Sequence, residues 1–144
     1  MLISRELDYA VRMVRALSDN EIKGVSKICD EELVPKPWAY KILKKMEKAD
    51  LVKSFCGASG GYRLTKDISE ITMLDVLAID MGALRLNECM CTEDSHDCSH
   101  HNTHEGVACA IKTEFERVEN ILTAALRDRT MAEVFGMLEQ EVSA

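Results

Sequence analysis

The sequence has no long hydrophobic run and little proline. Its 144 residues include two Pro and seven Gly, and 47% are hydrophobic and 30% charged. That composition excludes a mainly disordered, collagen-like or low-complexity protein. No apolar run approaches the roughly 18–20 residues that a membrane span needs. Arg5, Glu6 and Asp8 put charges where a signal peptide would need its hydrophobic core. We therefore expect a cytoplasmic protein without a membrane partner.

Catalytic signatures are also absent from the sequence. It contains no P-loop, no Gly-x-Gly-x-x-Gly fingerprint and no Ser/His/Asp arrangement that would support catalysis. His100 and His101 lie beside Cys98, as a base would lie beside a nucleophile, but nothing organises a substrate pocket around them. The sequence therefore does not predict an enzyme.

The net charge of −7 hides an asymmetry between the two halves of the chain. Residues 1–66 contain 13 Lys and Arg against 9 Asp and Glu, whereas residues 67–144 contain 5 against 16. Within 36–66 there are 8 basic residues and 2 acidic ones. This pattern indicates a basic module joined to an acidic one, and the basic module is where DNA binding is expected.

Three helices are predicted in the first 49 residues. Apolar residues at helical spacing indicate a helix from about Ser4 to Ser18, and a second from about Ser26 to Glu32 with Ser26 as its N-cap. After a turn at 33–37, a third helix runs to about Ala49, with Pro37 in its first turn. Its predicted apolar face consists of Trp38, Ile42, Met46 and Ala49.

The third helix also carries a lysine stripe, typical of the second helix of a DNA-binding helix-turn-helix. Tyr40, Lys41 and Lys44 lie toward its N-terminal part, which enters the major groove in such motifs. Lys45 and Lys48 are expected to contact phosphate instead. The predicted DNA contacts on this helix are Lys36, Tyr40, Lys41, Lys44, Lys45 and Lys48.

A β-hairpin is predicted directly after the third helix. Residues 51–55 and 62–65 are strand-like, and a Gly-rich segment separates them. A hairpin in this position is a wing, whose glycines allow the backbone to approach a phosphate closely. We expect Ser59, Gly60 and Arg63 to contact DNA.

The remaining sequence predicts three further helices and one long loop. Thr72 caps a fourth helix, and periodicity then disappears from about 87 to 106. A long helix follows from about Val107 to Arg127, and a last helix begins near Thr130 with Met131, Val134, Phe135 and Leu138 on its apolar face. The long helix has the a/d rhythm of a coiled-coil seam, which describes either a dimer interface or a core-facing stripe. The candidate interface residues are Ile111, Phe115, Val118 and Leu122.

Cysteine and histidine are concentrated in the loop before the long helix. Four of the six Cys, from Cys89 to Cys109, lie within 21 residues together with all four His, which indicates metal binding in a cytosolic chain. Thiolates are soft ligands that suit iron–sulfur clusters and zinc, but Cys-x-Cys without a Cys-x2-Cys pair is unlike usual zinc spacing. A thiol switch is a further alternative. Cys29 is expected to be a small buried hydrophobe and Cys56 to be exposed.

Several motifs, in this order, resemble the IscR/NsrR-type family of bacterial winged-helix transcription regulators, and the resemblance runs over nearly the whole chain. The wing sequence is the most specific part. The matching segments are 7–12 (Leu-Asp-Tyr-Ala-Val-Arg), 51–54 with Gly57 and 60–64 (Gly-Gly-Tyr-Arg-Leu), 71–76, and Cys109 followed by 130–134 (Thr-Met-Ala-Glu-Val).

The resemblance implies a homodimer that places two wings and two recognition helices on a partly palindromic double-stranded operator. In cluster-binding members, three Cys hold an iron–sulfur cluster, and the best matches here are Cys91, Cys98 and Cys109, with Cys89 as an alternative. Asp8 stands where some members place a fourth ligand from the partner subunit; one of the His residues is the competing donor. Whether the cluster would be 2Fe-2S or 4Fe-4S stays open.

The expected fold class is mainly α with a small β-hairpin wing: a winged helix-turn-helix DNA-binding domain at 1–82, a Cys/His-rich cluster-binding loop at 83–106 and dimerisation helices at 107–144. The predicted function is a dimeric DNA-binding transcription regulator, acting as a repressor, that senses redox state, nitric oxide, iron or cluster status. The alternative is a cluster-free or zinc-binding winged-helix protein that acts through protein partners. The lysine stripe favours DNA, because the cores of protein interfaces are depleted of Lys.

Overall fold

The computed structural model describes residues 4–81, 84, 86 and 109–137. Several of the predicted features lie outside these residues: Cys89, Cys91, Cys98, the four His and Leu138. No helix in the described part of the chain combines the length and the apolar character that a membrane crossing requires.

Three helices form the N-terminal part of the fold, as predicted. Helix α1 spans Arg5–Ala16 and α2 spans Val25–Glu32. The Ser4 hydroxyl caps α1 by accepting a hydrogen bond from the Leu7 amide at 3.2 Å. The predicted N-cap of α2 was wrong, because Gly24 holds that position in extended backbone and Ser26 lies inside the helix. Leu33 ends α2 in the left-handed conformation, with φ of 53°, and so turns the chain toward the third helix.

Helix α3 spans Lys36–Lys48 and lies against α1, α2 and α4. The predicted apolar face of α3 was only half correct. Ile42 and Met46 are fully buried, but Trp38 is 37% exposed and Ala49 caps the helix on the surface. Ala39 and Leu43 are buried in their place, because α3 packs against neighbours on more than one side and buries a stripe wider than a single i, i+4 row.

The predicted wing is present as an antiparallel hairpin of β1, Val52–Phe55, and β2, Gly61–Leu64. Val52 pairs with Leu64 and Phe55 with Gly61, so the two strands pair over their full length. Val52 and Leu64 are buried and join the core beneath α3, whereas Lys53, Ser54 and Arg63 are exposed. The hairpin is therefore attached at its base and projects at its tip.

Three further helices follow the wing. After a short 3-10 helix at Ile68–Glu70, α4 spans Met73–Met81, and the Thr72 hydroxyl accepts from the Asp75 amide, as predicted for a cap. Helix α5 spans Ala110–Asp128 and α6 spans Met131–Val134. Helix α6 is attached to the core because the Met131 amide donates to the Ile71 carbonyl at 2.6 Å.

The apolar face of α6 was predicted with partial success. Met131 and Ala132 are buried in the same hydrophobic cluster as α1, α3 and α4. Val134, which we expected on the apolar face, is 40% exposed. A helix of four residues buries little more than one turn, so only its first two residues reach the core.

Candidate nucleic-acid interface

The outer surface of α3 carries most of the side chains predicted to contact DNA. Lys36, Tyr40, Lys41, Lys44 and Lys48 are all exposed, and Tyr40 is 58% exposed although its ring is large and partly apolar. They lie on the outward face of α3, because the opposite face is packed into the core. An exposed helix face with several cations and one aromatic ring has the chemistry to contact both phosphates and base edges.

The lysines of α3 do not share one environment. The Lys45 ammonium lies between two carboxylates, 2.7 Å from Glu6 Oε1 and 2.6 Å from Asp80 Oδ1. Lys41 contacts the other oxygen of Glu6 at 3.0 Å and lies 5.2 Å from the centre of the Trp38 ring. Lys44 and Lys48 form no ion pair with any of the described residues. Lys36, at the start of the helix, is likewise exposed and has no ion pair among the described residues, so the positive charge that α3 presents without a carboxylate beside it comes from Lys36, Lys44 and Lys48.

Burial and ion pairing act in opposite directions on these groups. Burial alone would raise the pKa of Glu6, but hydrogen bonds from Lys45 and Lys41 outweigh burial and hold its pKa below the ordinary value. Asp80 first, and Glu6 second, raise the pKa of Lys45 above its ordinary value. Both groups are therefore charged at neutral pH.

The wing presents two cations side by side. Lys53 and Arg63 are directly opposite each other in the register, and both are exposed. Both also face the Phe55 ring, at 5.9 Å for Lys53 and 5.2 Å for Arg63 from its centre. Like charges at paired positions repel each other, while the face of an aromatic ring attracts cations. The two wing cations are thus placed together and oriented by one ring.

Lys53 was not among the sequence-predicted DNA contacts. The alternation of the strand contained the signal, since Lys53 and Arg63 are symmetric about the glycine-rich tip. Pairing the strands residue by residue would have placed the two cations together.

The recognition helix and the wing are joined by a direct contact. The Glu47 carboxylate at the end of α3 accepts a hydrogen bond from the Ser54 amide at 3.3 Å and a second from the Ser54 hydroxyl. The contact ties the end of α3 to β1, so the recognition helix and the wing are fixed relative to each other.

The wing is also attached on its other side, near the start of α2. The Lys23 amide donates to the Tyr62 carbonyl at 3.0 Å, and the Tyr62 amide donates to the Lys23 carbonyl at 2.9 Å. This close approach requires glycine at 61, because a Cβ there would lie 2.3 Å from the Lys23 carbonyl oxygen. Gly60, a predicted DNA contact, is likewise confined: a Cβ there would lie 2.3 Å from the Phe55 carbonyl oxygen.

Of the predicted metal ligands, the structure describes two. Cys109 is an exposed free thiol at the N-cap of α5, where the sequence had predicted the first turn of the helix. Asp8 lies on α1, partly exposed, and pairs with Arg12 at 2.9 Å. Within the described residues, no group of three or more His, Cys, Asp or Glu side chains could hold a metal ion. The other predicted ligands, Cys91, Cys98 and Cys89, lie outside those residues.

The other two cysteines have the environments that the sequence predicted. Cys29 is buried in α2, and burial raises the pKa of its thiol, so it behaves as a small apolar side chain. Cys56 is exposed at the start of the wing tip.

Helix α5 buries no residue of its own. Ile111 is 67% exposed, and Phe115, Val118 and Leu122 remain only partly covered. The four side chains repeat at spacings of four and three residues, so they form one apolar stripe along the helix. Within a single chain this stripe has solvent access along its length.

A family model described as "Rrf2: Iron-dependent Transcriptional regulator" matches residues 3–136 of the chain. The chain belongs to the Rrf2 family. This membership confirms the family that the sequence motifs resembled, and it identifies the protein as a DNA-binding transcription regulator and not an enzyme.

Two relatives show how far sequence similarity extends. Protein aau3 of Rhizobium meliloti (strain 1021) is 31% identical over 91 residues, which are 62% of this chain and 59% of that protein, so the match spans less than two thirds of its length. A protein of Aquifex aeolicus (strain VF5), named as a proposed HTH-type transcriptional regulator, is 22% identical over 144 residues, covering 99% of this chain and 96% of its own.

Solved structures confirm the winged-helix fold of this Rrf2-family chain. CymR (YrzC), described as the global cysteine regulator of B. subtilis, has a TM-score of 0.69 at 18% identity and covers 95% of this chain and 98% of its own. T. potens IscR has a TM-score of 0.66 at 20% identity and covers 99% of this chain and 91% of its own. At these identities the likeness concerns the fold alone.

Proposed function

We propose that this Rrf2-family regulator is a homodimeric repressor that binds a partly palindromic operator and senses redox state, nitric oxide, iron or cluster status through an iron–sulfur cluster. Residues 1–82 bind DNA, 83–106 hold the cluster and 107–144 join the subunits. The single observation that carries the DNA part is that α3 and the wing each expose several cations and that the Glu47–Ser54 contact joins the two elements.

The DNA surface divides into two parts with different tasks. Tyr40, Lys41 and Lys44 lie on the N-terminal part of α3 and read base edges in the major groove. The wing and the end of the helix hold the phosphate backbone, which fixes register and orientation. The phosphate contacts are Lys36, Lys48, Lys53, Ser59, Gly60 and Arg63.

The apolar stripe of α5 supports the dimer. Ile111, Phe115, Val118 and Leu122 lie on one face of a helix of 19 residues, none of which is fully buried within its own chain. Two such stripes packed against each other remove both from water, and a two-fold symmetric pair presents two recognition helices to two half-sites.

The residues present fit an iron–sulfur cluster in their chemistry. Cys109 offers an exposed free thiol at the end of the cysteine-rich segment, and thiolates are the usual ligands of such clusters. Cys91 and Cys98 supply the other two sulfurs, with Cys89 as the alternative first ligand. Asp8 is accessible enough to supply a fourth, oxygen ligand, because among the described residues it pairs only with Arg12, on the surface of α1. When bound, the cluster supplies a redox-active and oxygen-sensitive group.

Anaerobic purification tests the cofactor directly. We expect brown protein whose visible absorption is bleached by oxygen or nitric oxide, with iron and acid-labile sulfide in equal amounts. Cys91→Ala, Cys98→Ala and Cys109→Ala each lose that absorption and stay folded, while Cys29→Ala keeps it. A colourless protein that binds one zinc ion per chain would replace the cluster with a zinc site. Retention of wild-type iron and sulfide in all the loop variants would refute metal binding by these cysteines.

A further inference from the structure

Four charged side chains from three helices meet beside the recognition helix. Glu6 comes from α1, Lys41 and Lys45 from α3, and Asp80 from the last turn of α4. Lys45 is the shared member: its ammonium lies within 2.7 Å of a Glu6 oxygen and 2.6 Å of an Asp80 oxygen. The cluster contains two cations and two anions, so its formal charge is zero.

Glu6 is the member that fixes the arrangement. Its residue is only 8% exposed, which is unusual for a glutamate, and its two oxygens contact two different lysines one helical turn apart. A buried carboxylate needs its partners, because removing one leaves a charge that water cannot reach. Lys45 is therefore held in place by a buried carboxylate. An ion pair between an exposed lysine and an exposed carboxylate would instead break and re-form freely.

Lys41, Lys44 and Lys45, near the centre of α3, differ in how many carboxylate contacts each must lose before it can reach a phosphate. To reach a phosphate, Lys45 would have to leave two carboxylates at once, while Lys44, its neighbour in sequence, leaves none among the described residues. The Lys45 side chain is 31% exposed and that of Lys41 56% exposed, so Lys41 needs to give up only one carboxylate contact, from a more open position, to turn outward. The three lysines are therefore not equivalent in their ability to contact phosphate, although they lie on the same helix.

We propose that Lys45, Glu6 and Asp80 are positioning residues for operator recognition and that Lys45 does not contact phosphate. The three groups clamp α3 between α1 and α4 and fix the rotation of the recognition helix, which decides where Tyr40, Lys41 and Lys44 meet the bases. The two carboxylates also neutralise the charge of Lys45. DNA of random sequence is therefore bound less tightly than it would be if Lys45 contacted phosphate as well.

The dependence of DNA affinity on salt separates the two roles of lysine. Each phosphate contact contributes about 1 to the slope of log affinity against log salt. The test uses two duplexes of equal length, one selected by the protein from a random library and one of random sequence. Lys44→Met should reduce the slope by about 1, whereas Lys45→Met should leave it unchanged and reduce the preference for the selected duplex. Equal loss of slope in the two variants would overturn the proposal.

Removing one carboxylate tests the clamp without touching a lysine. In Asp80→Asn, Lys45 loses one of its two anions, so we expect tighter binding to the random duplex, a slope steeper by up to about 1 and a lower preference for the selected duplex. Asp80→Glu keeps the charge and should restore the wild-type slope. Glu70→Gln is the matched control, since it changes the net charge equally from an exposed site on the short 3-10 helix with no ion pair among the described residues.

The Glu70→Gln control separates the contact from the net charge. If Asp80→Asn and Glu70→Gln change affinity and slope by the same amount, the effect is one of net charge, and the contact of Lys45 with Glu6 and Asp80 has no part in recognition. Should Lys45→Met fail to fold, as judged by circular dichroism, the Asp80 pair of variants still decides, because Asp80 is more exposed than Glu6 and its loss leaves the Glu6–Lys45 contact intact.

Discussion

Replacing Gly61 by Ala tests how the wing is attached. An added Cβ would lie 2.3 Å from the Lys23 carbonyl oxygen and 2.8 Å from the Gly24 nitrogen, and both are backbone atoms that cannot rotate away. The wing and the segment before α2 must therefore separate by roughly 1 Å, since ordinary contacts of this kind are near 3.5 Å. That separation breaks the two backbone hydrogen bonds between Lys23 and Tyr62.

The magnitude follows from those two bonds. A backbone hydrogen bond contributes about 0.5–1.5 kcal/mol to stability, so we expect the free energy of unfolding to fall by about 1–3 kcal/mol. For a domain of this size that loss lowers Tm by roughly 3–12 °C. The displaced wing also carries Arg63 away from phosphate. Affinity for the selected duplex should therefore be reduced even at temperatures well below Tm, where the variant is still folded.

Gly24→Ala is the matched control. It adds the same methyl group one residue from Lys23, where nothing lies within 4 Å of the new atom, and it costs less than about 1 kcal/mol as a change of N-cap. Thermal unfolding by circular dichroism and fluorescence anisotropy with labelled duplex measure both effects. If Gly61→Ala were as stable and bound DNA as tightly as Gly24→Ala, the close contact between the wing and Lys23 would be refuted.

Three further predictions concern the DNA contacts, the dimer and the cofactor. Arg63→Ala should weaken selected and random duplexes equally and lower the salt slope by about 1; an unchanged slope would remove Arg63 from the phosphate contacts. Phe115→Glu should give monomers in light scattering, because it would bury an unpaired charge, while Asn120→Glu on the opposite face should stay dimeric; a dimer in both would assign the stripe elsewhere. Asp8→Ala should keep a cluster but alter its spectrum or its rate of loss, and an identical spectrum and rate would exclude Asp8 as a ligand.

Sequence periodicity predicted the helices and the wing because those elements depend on local patterns. The spacing of apolar residues located α1, α3 and α5 to within a few residues, and the glycines between two strand-like runs located the hairpin. The N-cap of α2 was wrong because two residues within one turn, Gly24 and Ser26, could each begin the helix.

The environment of each lysine on α3 depends on tertiary packing and could not be predicted from the stripe. Lys44 and Lys45 are adjacent in sequence, and only the positions of α1 and α4 decide that Lys45 meets Glu6 and Asp80. Trp38 illustrates the same limit on the apolar side. Its ring lies 6.0 Å from that of Tyr9 in an edge-on pair and supports Lys41, so a large aromatic residue stays near the surface.

The most direct measurement of the proposed mechanism is a titration of the selected duplex with cluster-loaded and with cluster-free protein, under anaerobic conditions and at one salt concentration. Iron, sulfide and the dimer content are measured on the same samples. We predict that both forms are dimers and that their affinities for the selected duplex differ by at least tenfold, while their affinities for random DNA agree. Identical titration curves for the two forms would contradict regulation of DNA binding through the cluster.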